Sequence, residues 1–166
     1  MDKETFSKHV LEYETVLYHI ALSIMHDDED SADAIQNALL KAYTSLPSLK
    51  KEKYFKTWLT RILINECYQM KRNKKEILPL DESIISTLPP KESTDNSDVY
   101  IAVQQLEDIY KLPIILFYVE GYSVREISAI LELSTSNVKT RLHRGRRILQ
   151  DFLCNERNYE RGICNE

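Results

Sequence analysis

Phe6, Val10, Tyr13, Leu17, Ile20 and Ile24 recur at steps of four, three, four, three and four residues. That is the period of one face of an α-helix, so this segment is expected to run as a helix to about Met25 with the apolar face buried. The same period returns twice before residue 76. Acidic Asp27 to Asp30 interrupts it, and Asp30 or Ser31 is expected to cap a second helix with the stripe Ala34, Ile35, Ala38, Leu39, Ala42 and Tyr43. Pro47 closes that helix. After the basic stretch Ser48 to Lys53, the residues Thr57, Trp58, Leu59, Ile62, Leu63, Glu66, Cys67 and Met70 mark a third helix, ending in Lys71 to Lys75. Trp58 reads as a core residue on this stripe rather than as an exposed stacking platform. With only 3 Gly and 5 Pro in 166 residues, the chain is poor in tight turns, and helices are the natural use of it. Residues 1–75 are expected to form one small helical domain.

Residues 76–97 break the pattern with Pro79, Pro89, Pro90 and a polar run from Ser93 to Asp98, and are expected to form a flexible acidic linker. Residues 76–110 hold 8 acidic groups against 1 basic. Such a tract is ordinarily a solvated, extended segment, the alternative being a mimic of nucleic-acid charge. From Ala102 the helical period returns through Val103, Leu106, Ile109 and Tyr110. It leads into the apolar run Ile114 to Val119, too short for a membrane and suited to a helix buried in a small bundle. The fold class is therefore all-α, with a second helical domain at 98–153 and a tail at 154–166.

In this second domain, Gly121 is placed for a left-handed helix end and Ser123 for the next N-cap. Val124 to Leu131 makes a short helix, Glu132-Leu133-Ser134 a tight connection, and Thr135 to about Leu153 a second helix. Two short helices so joined have the layout of a helix-turn-helix. Val138, Leu142, Gly145 and Leu149 turn inward on the second helix, while Ser136, Asn137, Lys139, Thr140, His143, Arg144 and Arg147 face out. Short hydrogen-bonding groups and Lys139 on the early part of that face suit base edges in a major groove, and the later arginines suit phosphates. Charge agrees locally: although the chain carries −4 overall, residues 134–153 hold 5 basic groups against Asp151 alone.

Other chemistry is thin. Cys67, Cys154 and Cys164 are an odd count with no C-x-x-C pair and read as reduced thiols, and four scattered histidines lack metal-ligand spacing. No glycine-rich phosphate loop, nucleophile motif or paired His/Glu motif appears, so no catalytic residue, metal or cofactor is expected and the chain does not read as an enzyme with a small-molecule substrate. The start, Met1-Asp2-Lys3-Glu4, lacks a signal-peptide pattern, and a cytoplasmic location is expected.

The stretch Leu106 to Leu149, with Glu120-Gly121-Tyr122-Ser123, Glu126-Ile127, Val138-Lys139 and Arg141-Leu142-His143-Arg144, resembles region 4 of extracytoplasmic-function (group 4) sigma factors of the sigma-70 family. Independently, Asp30 to Gln36, Leu40 to Tyr43 and Phe55 through Asn65 resemble region 2. Asn37, Leu39, Gln69, Glu107, Glu132 and Gly145 depart from the usual pattern without removing a group on which the mechanism depends. The resemblance implies that the first domain docks on core RNA polymerase, at the clamp helices of the beta-prime subunit, through Asp30, Asp33, Gln36, Asn37, Leu40 and Lys41. It implies that Leu49, Lys50, Lys51 and Lys53, with Arg61, Asn65 and Arg72, take the −10 element as single strand. It also implies that Ser134, Ser136, Asn137, Lys139, Thr140, Arg141, His143, Arg144 and Arg147 bind the −35 duplex, that the beta flap is a further polymerase contact, and that an anti-sigma protein, often membrane-anchored, holds the factor inactive. The competing reading is a one-component helix-turn-helix regulator, which would bind duplex promoter DNA without polymerase. A protein that sequesters a sigma factor would fit the acidic linker but not the basic second helix.

Overall fold

A computed structural model describes residues 2–77 and 97–160, and every described element is helical. The helices fall into two compact units. In the first, α1 (Lys3–Met25) starts where the Asp2 side chain accepts from the Thr5 N–H at 2.8 Å, and ends at His26 in the left-handed conformation, φ 60°. The expected face is the buried one: Phe6, Leu17, Ile20 and Ile24 are core, and Val10 and Tyr13 half-buried.

The second helix, α2 (Asp28–Thr44), begins earlier than expected. Asp27, not Asp30 or Ser31, caps it by accepting from the Asp30 N–H at 2.9 Å. The first carboxylate of the run takes the cap, and Asp28, Glu29 and Asp30 then lie in the first turn, where the helix dipole favours negative charge. Ser31 is instead wholly buried, its hydroxyl donating to the Asp27 carbonyl at 2.5 Å. Past Thr44 the chain makes two short 3-10 turns, Leu46–Ser48 and Glu52–Tyr54, before α3 (Phe55–Ile77). Packed against both α1 and α2, α3 buries two adjacent stripes. Leu59, Leu63 and Cys67 form one, as expected; Thr60 and Ile64 form the other. Trp58 is half-buried, its ring 6.0 Å from that of Phe55. Because α3 continues through Ile77 and α4 opens at Ser97, most of the expected linker, residues 78–96, lies outside the described residues.

Further along the chain come α4 (Ser97–Gln104), α5 (Asp108–Ile114), α6 (Val124–Leu131) and α7 (Thr135–Glu160). The helical period that returns at Ala102 is interrupted at residues 105–107, where the Leu106 N–H turns back to the Val103 carbonyl at 3.2 Å and Leu106 still reaches the core. Pro113, inside α5, has no N–H to give to the preceding turn. The backbone then widens into a π-helical turn, Ile115–Val119, in which the Glu120 N–H reaches the Ile115 carbonyl at 3.0 Å. Ile114, Ile115 and Leu116 are buried as expected, but the widened turn leaves Tyr118 and Val119 exposed. Gly121 follows at φ 71°, and the Tyr122 N–H closes onto the Leu116 carbonyl at 2.9 Å.

A Cβ built at Gly121 would meet nothing within 4 Å, so Gly121→Ala tests backbone strain alone. It is expected to destabilise the chain by about 1 kcal/mol, the left-handed penalty less the entropy that alanine removes from the unfolded state, read as a lower urea midpoint by circular dichroism.

Candidate nucleic-acid interface

The helix-turn-helix is held by reciprocal caps. Ser123 and Glu126 form a capping box: the Ser123 N–H and hydroxyl donate to the Glu126 carboxylate at 2.8 and 2.7 Å, and the Glu126 N–H donates to the Ser123 hydroxyl at 3.3 Å. After α6 the chain turns through Glu132 at φ 54°, and Ser128 spans the turn, its carbonyl accepting from the Leu133 N–H and its hydroxyl donating to the Leu133 carbonyl. Ser134 then caps α7, accepting from the Asn137 N–H at 3.1 Å. Its hydroxyl thus has a local task in setting the direction of α7.

Along α7, Val138, Leu142 and Gly145 are buried and Leu149 is half-buried. A Cβ at Gly145 would stand 3.0 Å from Ile114 Cγ1, so glycine allows α7 its close approach to α5. On the opposite face Ser136, Asn137, Lys139, Thr140, His143, Arg144 and Arg147 are all exposed. Four of the nine expected side chains carry internal bonds: besides the capping Ser134, half-buried Arg141 donates from Nε to Asn137 Oδ1 at 2.9 Å, and the Thr140 hydroxyl donates to the Ser136 carbonyl at 3.0 Å. Arg146 lies beside this face and donates to the Tyr118 hydroxyl at 3.1 Å.

In the first unit, Lys50, Lys51 and Lys53 are exposed on the segment of 3-10 turns, with Leu49 half-buried between them and the preceding turn. Arg61, Asn65 and Arg72 are exposed at helical spacing on one face of α3. The six residues expected on α2 divide into two sets. Asp33, Gln36 and Leu40 point to solvent, and Leu40 is 66% exposed, an apolar tip on a polar ridge. Asp30, Asn37 and Lys41 turn along the seam with α3. There Lys74 donates to both Asp30 oxygens at 2.5 Å, the Asn37 amide lies 3.9 Å from the Met70 sulfur, and Lys41 donates to Glu66 at 2.5 Å. The Asp30 carboxylate holds the Lys74 ammonium above its ordinary pKa. These three therefore fix the antiparallel register of α2 on α3.

One arrangement had no signal in the sequence. His9 of α1 meets Glu52 of the second 3-10 turn, Nε2 to Oε1, at 2.8 Å. Partners 43 residues apart share no motif, and only the fold brings them together. Among the described residues there is no cluster of three metal-ligating side chains, and no helix long and apolar enough to cross a membrane.

Family comparison accounts for both units. A model of sigma-70 region 2 matches residues 9–77, and one of sigma-70 region 4 matches residues 98–149. The chain belongs to the sigma-70 family, in the extracytoplasmic-function group. The ECF RNA polymerase sigma factor SigW of Bacillus subtilis is 28% identical over 169 residues, covering 92% of this chain and 90% of SigW. The RNA polymerase sigma factor SigV of the same organism is 27% identical over 149 residues, covering 89% and 90%. Among solved structures, the sigma factor RpoE in complex with the anti-sigma factor NepR from Bartonella quintana superposes with a TM-score of 0.75 at 26% identity, over 90% of this chain and 97% of that one. CnrH, solved with the cytosolic domain of CnrY, shares the fold with a TM-score of 0.69 at 21% identity, over 93% and 90%.

In this sigma factor the two thiols among the described residues, Cys67 and Cys154, belong to neither surface. Cys67 is fully buried, and burial pushes its thiol up to about 12, whereas Cys154 is exposed. Iodoacetamide at pH 8 is therefore expected to label Cys154 and spare Cys67 in the folded chain, and to label both in urea, as read by peptide mass spectrometry.

Proposed function

We propose that the chain binds core RNA polymerase and directs promoter-specific initiation by a two-point grip. The exposed face of α7 takes the −35 duplex, and the first unit takes the −10 element as single strand. It acts by binding, without catalysis of its own. The observation that carries this reading is the presence of both sigma regions in order on one chain, with α7 keeping its apolar stripe inside and Lys139, Arg144 and Arg147 outside. A one-component regulator would use its N-terminal half to bind a ligand or dimerise, which gives no reason for that half to match sigma region 2.

The roles divide by chemistry. Asn137 and Ser136 stand where short hydrogen-bonding groups read base edges, and Arg144 and Arg147 where charge meets phosphate. On α2, the ridge of Asp33, Gln36 and Leu40 is the surface for the beta-prime clamp helices; Asp30, Asn37 and Lys41 support it from the seam. Lys50, Lys51 and Lys53, with Arg61, Asn65 and Arg72, offer cations and an amide to an unpaired strand. We further infer domains at 1–75 and 98–153, joined by an acidic linker at 76–97, cytoplasmic placement, and control by an anti-sigma protein, as the RpoE–NepR complex illustrates for its own sigma factor.

The test is reconstitution: the purified chain, sigma-free polymerase, and promoters selected by the holoenzyme from a randomised DNA pool, read by run-off transcription. Failure to bind core polymerase overturns the reading. Leu40→Glu is expected to weaken core binding at least about tenfold with helix content unchanged, since it puts a charge where an apolar contact forms. Arg144→Ala is expected to weaken all promoters alike and reduce the salt-dependence slope by about 1, whereas Asn137→Ala is expected to change the preference among −35 sequences by about 1–3 kcal/mol.

A further inference from the structure

The His9 ring is held on both nitrogens and on its face. Nε2 pairs with Glu52 at 2.8 Å and Nδ1 with Glu12 at 3.3 Å. The ring lies parallel to Tyr13 at 6.3 Å and tilted over Phe55 at 5.2 Å, and Phe55 is itself core and opens α3. The imidazole is therefore a rigid post. Glu52 is the opposite kind of group, a largely exposed side chain at the start of a three-residue 3-10 turn, between Lys51 and Lys53. The stretch just before it, Leu49 to Lys51, belongs to neither short helix; the Leu49 N–H bonds back to the Leu46 carbonyl and the Lys51 carbonyl accepts from the Tyr54 N–H, so its backbone bonds go to the turns on either side.

We propose that His9 is a positioning residue for promoter opening: through Glu52 it sets the turn bearing Lys50, Lys51 and Lys53 in the shape that receives the −10 strand, and draws the Glu52 carboxylate off the path of its phosphates. The proposal rests on the reading that this turn binds the −10 element. A lone carboxylate among three lysines would repel a phosphate backbone and weaken each of them. Paired with an imidazolium its charge is compensated, and the same contact ties the turn to α1, so geometry and charge are corrected together.

The pair is titratable. The groups against His9 are Glu12 and Tyr13 on α1, Glu52 on the turn and the Phe55 ring of α3; Lys56 on α3 lies beyond, over Tyr13, its ammonium 5.8 Å from that ring centre. Hydrogen bonding to Glu52 is the main cause that holds the imidazole protonated above its ordinary 6.5, with Glu12 adding to it and partial burial opposing. A raised histidine keeps its full contribution below the ordinary value and loses it as pH rises through the raised one. The anchor is thus complete in mild acid and weakens toward alkaline pH.

The experiment uses the full chain with core polymerase and a promoter selected from the randomised pool, and reads open complexes by permanganate reactivity of unpaired thymines between pH 6 and 8.5. His9→Ala and Glu52→Ala are each expected to reduce opening about three- to tenfold at the acid end, and the double variant no further than either single one. His9→Gln, which keeps a neutral donor near the same place, is expected to recover part of the opening with a flatter pH profile. A purely electrostatic role for Glu52 gives the other sign, because removing a carboxylate beside lysines would strengthen phosphate binding. Improved opening by Glu52→Ala, additive losses in the double variant, or a wild-type pH profile in His9→Gln would each overturn the proposal. Replacing Lys50, Lys51 and Lys53 together by Ala separates it from its premise. If that variant opens promoters normally, the −10 reading fails and the proposal with it; if it is defective while His9→Ala is not, only the positioning role falls.

Discussion

Burial of α3 on two sides at once is the constraint on which the first unit depends. Leu59, Leu63 and Cys67 on one stripe, and Thr60 and Ile64 on the next, leave α3 only a narrow band to show to solvent. On α2 the buried positions are all small: Ser31, Ala34, Ala38 and Ala42. A flat, small-residue stripe packs without knobs that would lock its register, so the rim of the seam supplies register instead, through Asp30 with Lys74 and Lys41 with Glu66. Ion pairs this exposed add little stability each, yet their geometry selects one alignment of two antiparallel helices. The ridge of Asp33, Gln36 and Leu40 is what that alignment turns outward.

In the second unit the governing contact is the approach of α7 to α5 at Gly145, where even a methyl group would press on Ile114. With Val138 and Leu142 buried on the same face, α7 cannot rotate without exposing core, and its polar face is fixed by exclusion. Ser123 and Glu126 cap the start of α6, and Ser128 and Ser134 make the turn between α6 and α7 a bonded structure. A reader of base edges has to be held this firmly, because a small rotation of the helix would present different side chains to each base.

Much of this was legible in the residues themselves. The stripes of α1 and α7, the bounds of α6, the left-handed Gly121 and the Ser123 cap follow from period and cap chemistry, which act over a few residues. The errors have local causes too. Asp27 takes the α2 cap because it is the first carboxylate of a run in which several could serve. The break at residues 105–107 and the π turn after Pro113 escape a reading by apolar period, because Leu106, Ile115 and Leu116 are buried whether or not the backbone between them is regular. Exposure of Tyr118 and Val119 follows from that same widened turn.

By itself, the sequence determined the helices, most of their buried faces, the basic outer face of α7 and the order of the two sigma regions, since each is written in spacings of three and four or in motifs a few residues long. Only the tertiary structure decided which polar residues are taken up in contacts between helices. Asp30, Asn37 and Lys41 lie on the same helix as Asp33, Gln36 and Leu40 and share their chemistry, and what separates the two sets is the position of α3. His9 and Glu52 are adjacent only because α1 and the turn before α3 meet at Phe55. Whether a side chain is free to meet a partner depends on neighbours distant in the chain, and no local pattern carries that information.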